Sequence, residues 1–242
     1  MQILTDGPSP LISTSSALIS AGAIGYCFAK VRLALSAAIP ESAIATKNRV
    51  IANISVKAKK IAWKLAFDHL LKMVVIGVLM LGLRSFACQV NDDAAGYLIG
   101  RIVAAIVLGP FSGALVLSVI LVIQTVVFKF GTISSLGFNI INAAIIGTLF
   151  CYYIYFIINR SWKGRMGFWA GIAVAAVCSR LLEVLIYIPE QNIFYGQSVH
   201  TSLQCLLPSY WRLVLAAPVF TIFMLMVLHS LGMSFEGRVI DD

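Results

Sequence analysis

The sequence predicts an all-α integral membrane protein of about seven transmembrane helices, and three observations carry that prediction. Of the 242 residues, 60% are hydrophobic and 12% charged, where a soluble domain has roughly 45–50% apolar and about a quarter charged residues. Apolar runs of about 20 residues recur along the chain, the length at which a helix spans a hydrocarbon core of ~30 Å. The positive charge is also uneven. Lys30, Arg32, Lys47, Arg49, Lys57, Lys59, Lys60 and Lys64 crowd one segment against Glu41 alone, the mark of a cytoplasmic loop. Strands of about 10 alternating residues, which a membrane barrel needs, do not occur. The net charge of +8 therefore reads as topology, and no nucleic-acid partner is expected.

The chain reads as a single transmembrane domain over residues 1–242. Residues 1–10, MQILTDGPSP, break twice on proline and form an irregular extracytoplasmic segment. They lack the basic n-region of a cleaved signal peptide. The first span is expected from about Leu11 to Ala29. Ala17, Ala21, Gly25 and Ala29 recur every four residues along it, a spacing that lets another helix approach closely. That stripe fits packing within the bundle or docking of a partner membrane subunit.

Residues 30–65 form a basic cytoplasmic insertion. Ile44, Ile51, Ile54, Ala58, Ile61 and Leu65 fall on one helical face with lysines opposite. This is an amphipathic pattern suited to the anionic surface of the lipid bilayer. The second span is expected over about Leu70–Cys88, leaving through the acidic Asn91-Asp92-Asp93.

The run from Tyr97 to Phe128 is broken at Gly109-Pro110. Tyr97 to Gly109 reaches only about 20 Å as a helix. If the run crosses once, the loop holding Arg160, Lys163 and Arg165 lands outside, against the charge rule; if it crosses twice, that loop lands inside. A short third span and a fourth over about Phe111–Phe128 follow. A short Gly/Pro-broken span is a pointer to a binding site. Spans five (about Phe138–Ile158), six (about Phe168–Ile188) and seven (about Tyr210–Leu231) complete the fold, with the N-terminus outside, an outer loop over Pro189–Pro208 and the C-terminus inside.

Candidate functional residues are the polar groups inside apolar runs, because charge at membrane depth is costly and usually serves a cavity or a partner. Arg101 is a candidate for substrate contact or for pairing with Asp92 or Glu183. Arg84 near the end of the second span either joins it or reaches to the interface. Arg180 and Glu183, three apart, are expected to neutralise each other. Gln124, Asn139 and Asn142 are expected chiefly to hold helices together through their amides. His69 and His229 fall at span ends and read as interfacial. His200 lies in the outer loop with Cys205 nearby and is a speculative metal ligand. The five cysteines are scattered with no CxxC pair and imply neither a disulfide framework nor a zinc site. No P-loop, HExxH or GxSxG motif is present. The chain reads as no enzyme, and any energy for active transport comes from another polypeptide.

With these residues in place, the chain resembles the CbiM/NikM family, the substrate-binding subunits of energy-coupling-factor (ECF) transporters for cobalt and nickel. Met1-Gln2-Ile3, Asp6-Gly7 and Ser9-Pro10 are similar to the family's N-terminal signature. Phe86-Ala87, Gln89, Gly96-Tyr97-Leu98-Ile99-Gly100, Leu108-Gly109-Pro110, Gln124, Phe128, Gly131, Leu136-Gly137, Asn139 and Asn142 follow its core block. The likeness is strong there and weak after Arg160, and residues 30–64 look like an insertion.

The resemblance implies a seven-span fold in the cell membrane, Co²⁺ or Ni²⁺ as substrate, and partnership with an ECF coupling membrane subunit and two ATPase subunits. It also implies a metal site made by the terminal amine of Met1, the backbone nitrogen of residue 2, and imidazoles at position 2 and in the core block. Nitrogen donors of this kind suit Ni²⁺ and Co²⁺. Here the two imidazole positions hold Gln2 and Tyr97, and Arg101 follows Tyr97 by one helical turn. A cobalt or nickel importer, a relative that binds a small neutral or anionic compound, a rebuilt metal site and a non-transporting structural or regulatory membrane protein all remain open on the sequence. No resident cofactor is expected.

Overall fold

The computed structural model describes residues 10–37, 63–64, 66–82, 95–128, 133–162, 165–195, 198, 218–219 and 221–230. Helix is the only regular structure among them. The segments are α1 (Pro10–Ala37), α2 (residues 66–82), α3 (Ala95–Leu108), α4 (Pro110–Val126), α5 (Ile133–Ser161), α6 (Arg165–Tyr195) and α7 (Thr221–Ser230). Two of them, Ile12–Leu35 within α1 and Ile133–Ser161, are long and apolar enough to cross a membrane.

The centre of the bundle is α3. Every residue from Arg101 to Leu108 is buried, on all sides of the helix, which is how a helix surrounded by protein reads. Its 14 residues make it about 21 Å long. The break after it has a local cause. Gly109 takes φ 83°, which favours glycine, and Pro110 opens α4 at a position where its missing N–H costs nothing. The chain then folds back. In one continuous helix, residues 104 and 113 would stand about 13 Å apart. Instead, a Cβ built on Gly113 would meet the Ala104 carbonyl oxygen at 2.9 Å.

The same reversal follows from α2. His69 Nε2 lies 3.0 Å from Ser112 Oγ, and a Cβ on Gly77 would meet Val116 at 3.6 Å. Both contacts climb in the same order, so α2 and α4 run the same way and α3 runs against them. The break expected at Gly109-Pro110 is thus a reversal between two helices.

The remaining helices pack around α3 and α4. α1 crosses α5 where Gly137 meets the backbone of Ser16 and Ala17, at 2.6–2.8 Å for a built Cβ. Tyr26 of α1 sets its ring edge-on to Phe111 of α4 at 6.1 Å, with Lys30 Nζ 5.6 Å from the Tyr26 ring. α5 and α6 pack along their length, with Tyr155 seated against Gly171 and edge-on to Phe168.

Several boundaries differ from expectation. α1 runs on to Ala37, past the basic residues at 30 and 32. α2 is already helical at residue 66, ahead of the apolar run. α6 passes through Pro189 to Tyr195, so the expected outer loop does not start at Pro189. Within α5, Ile140–Ile146 is a π-helical stretch. The small-residue stripe of α1 faces outward: Ala17, Ala21, Gly25 and Ala29 are exposed, while Ser16, Ser20 and Cys27 form the buried side. Of the basic insertion, residues 38–62 lie outside the described residues.

Candidate functional site

The candidate site is built on the two discontinuities of the bundle: the α3–α4 reversal and the π-helical stretch of α5. Arg101 is carried by α3 and is 2% exposed, among the largest fully buried side chains of the protein. Its guanidinium crosses to α5 and lies on the bare backbone of Gly147. A Cβ there would meet Nη1 at 2.5 Å, Cζ at 2.6 Å and Nε at 2.8 Å. Gly147 is the residue at which the π stretch returns to α-helix. Such stretches recur at functional positions because they let a backbone step out of the regular ladder.

Further polar groups stand in the same core. Thr148 follows Gly147 and is wholly buried, and Gln124 on α4 is 2% exposed. Thr148 Oγ1 and Gln124 Oε1 have no hydrogen-bond partner among the described residues. Leaving such atoms unbonded in a dry interior costs about 1–3 kcal/mol each. Asn139 donates from Nδ2 to Ser135 Oγ at 3.5 Å, one turn back on its own helix. The interhelical amide bonding expected of Gln124, Asn139 and Asn142 is therefore not what Asn139 does. Asn139 and Asn142 are half-buried and bracket the start of the π stretch.

The fourth helix joins through Ser112, a buried hydroxyl beside Gly109-Pro110 that His69 reaches from α2. His69, expected at an interface, is half-buried and ties α2 to the reversal. Tyr97 sits on the first part of α3, where the backbone alone is described. Helical spacing places position 97 one turn before Arg101 on the same face. Met1, Gln2, Arg84 and His200 lie outside the described residues, as do the side chains of Arg180 and Glu183.

Among the described residues, no group of three His, Cys, Asp or Glu side chains is placed to hold a metal ion. The polar groups of this core are a cation, hydroxyls and carboxamides, types that recognise hydrogen-bonding and anionic groups. Sequence reasoning singled out Arg101 and Gln124 but missed Gly147, Thr148 and Ser112. The signal that could have found Gly147 is a lone glycine in an apolar run level with a buried arginine.

Among the described residues the fold is all-helical, with an apolar exterior and two helices long and apolar enough to cross a membrane. The family model for the CbiM cobalt uptake substrate-specific transmembrane region matches residues 9–234, and the chain belongs to that family. It is also 41% identical over 91 residues to a putative fused nickel transport protein NikMN of Archaeoglobus fulgidus, an overlap covering 36% of this chain and 31% of that protein. The chain thus spans less than a third of that relative's length. No solved structure matches it.

Proposed function

We propose that this chain is the substrate-capture subunit of an ECF-type importer for cobalt or nickel ions. It lies in the cell membrane as seven spans, N-terminus outside and C-terminus inside, with residues 30–65 on the inner leaflet. The observation that carries the reading is the family match over residues 9–234, joined to the buried, Gly/Pro-broken α3 at the bundle centre. The nickel transport name of the relative supports the choice of ion.

The ion enters beside the first half of α3. The amine of Met1 and the backbone nitrogen of Gln2 are the donors the family pattern leaves in this sequence. The chain carries no ATPase motif, so an ECF coupling subunit and ATPase subunits drive release to the inside. The exposed stripe Ala17, Ala21, Gly25, Ala29 is the docking face for the coupling subunit, since a Cβ on Gly25 meets nothing within 4 Å.

The test is metal accumulation in a host lacking its own cobalt and nickel importers, expressing this chain with the coupling and ATPase subunits of its transporter. Accumulation that disappears when the ATPase is inactivated supports the reading, and none in either case refutes it.

A second reading, a family member that has changed to a non-metal small molecule, is favoured by one observation. Gln2 and Tyr97 replace both imidazoles, and a permanent cation lies buried one turn from position 97.

A further inference from the structure

We infer that the cargo is taken not as a bare ion but as a chelate, in which a small carboxylate-bearing molecule supplies the donors this chain lacks. The inference rests on the cobalt or nickel reading above and specifies the form in which the metal arrives.

The argument starts from the donor set. Gln2 and Tyr97 stand at the two side-chain positions of the metal pattern. A neutral carboxamide and a protonated phenol are weak ligands for Ni²⁺ and Co²⁺, which favour imidazole and amine nitrogen. The amine of Met1 and one amide nitrogen complete neither a square nor an octahedron.

What the core supplies in place of donors is a cation and hydrogen-bonding groups. Arg101 is 2% exposed, and Gly147 leaves room for its guanidinium where any larger residue would collide with it. A guanidinium stays charged at every physiological pH and presents five N–H donors in a fork that matches a carboxylate. It therefore accepts a carboxylate while keeping another partner. Thr148, the next residue along α5, is wholly buried and its Oγ1 has no hydrogen-bond partner among the described residues. On α4, which packs against both α3 and the π stretch, Gln124 Oε1 is in the same condition.

These residues are ill-suited to a naked divalent cation and well suited to the outer oxygens of a chelate. The ligand's carboxylate meets Arg101, its remaining polar edge meets Thr148 or Gln124, and its own nitrogens or oxygens stay on the metal. No bond within the chelate is made or broken on binding.

The test is calorimetric titration of the full-length chain in detergent with its native N-terminus. The probes are NiCl₂, nickel bis-histidine, nickel bis-histamine (the same imidazole and amine donors without the carboxylate), nickel citrate, and free histidine and citrate. The inference expects at least one carboxylate chelate to bind tenfold or more tighter than NiCl₂. If that chelate is the histidine one, histamine in its place loses most of the gain. In Arg101→Met the preference for carboxylate collapses toward one.

Bare Ni²⁺ binding as tightly as the chelates would overturn the inference and leave the metal reading standing. Binding of free histidine or citrate as tight as their chelates would overturn both. Binding of neither chelate would overturn the inference whatever the bare ion does. If Arg101→Met fails to fold, the histidine–histamine comparison and the citrate titration on the unmodified chain decide alone.

Discussion

The guanidinium of Arg101 rests on the backbone of Gly147, with Nη1 only 2.5 Å from where a Cβ would stand. Arg101 is 2% exposed, so its guanidinium would have to shift within the buried core to admit a methyl group. Gly147→Ala is expected to cost about 1–3 kcal/mol by overpacking, read as a lowered midpoint of thermal unfolding in detergent. In an Arg101→Met background the same change costs much less, because the flexible methionine gives way. A double-mutant cycle measures that coupling directly, and additive costs would separate the two residues.

The contacts of Gly137 with Ser16 and Ala17, and of Gly113 with Ala104, are with backbone and not with the end of a flexible side chain. Gly137→Ala and Gly113→Ala should therefore lower stability more than Gly147→Ala does, by several kcal/mol in total if combined at these separate crossings. Thermal unfolding of the single variants checks the order.

The outward stripe of α1 has room to spare. Gly25→Leu and Ala21→Leu are expected to leave the unfolding midpoint of the isolated chain within about a degree, because a surface change away from packing costs within about 0.5 kcal/mol. The same variants should lose co-purification with the coupling subunit. Retained co-purification would place the docking face elsewhere.

How much of this was legible in the sequence depends on how local the cause is. The break at Gly109-Pro110 is local chemistry, a positive φ followed by a residue without an N–H, and the reversal it implies was readable. Arg101 was readable as a charge too costly to leave in an apolar run without a role. Gly147 and Gly137 were not readable, because a glycine among apolar residues carries no sign of what will press against it from a distant part of the chain. The π stretch of α5 was equally hidden, since Ile140–Ile146 has the composition of ordinary helix. On α1 the small-residue spacing was real, but spacing alone does not say whether a face turns inward. The buried side belongs to Ser16, Ser20 and Cys27.

Placing imidazoles at positions 2 and 97 tests whether the scaffold can hold a bare ion. The Gln2→His, Tyr97→His double variant is expected to bind bare Ni²⁺ at least tenfold more tightly than the unmodified chain, measured by calorimetry with a free N-terminal amine. Adding Arg101→Met should strengthen it further by removing a buried positive charge one turn from position 97. No gain in either variant would show that the segment around residues 1 and 2 does not reach α3.

The most direct test of the transport claim is uptake by liposomes that hold this chain together with its coupling and ATPase subunits. Cobalt or nickel is supplied outside, bare and as the histidine chelate, with ATP sealed inside. The account predicts accumulation of the metal that requires both the internal ATP and this chain. A complex that assembles and hydrolyses ATP yet accumulates neither metal in either form would contradict it.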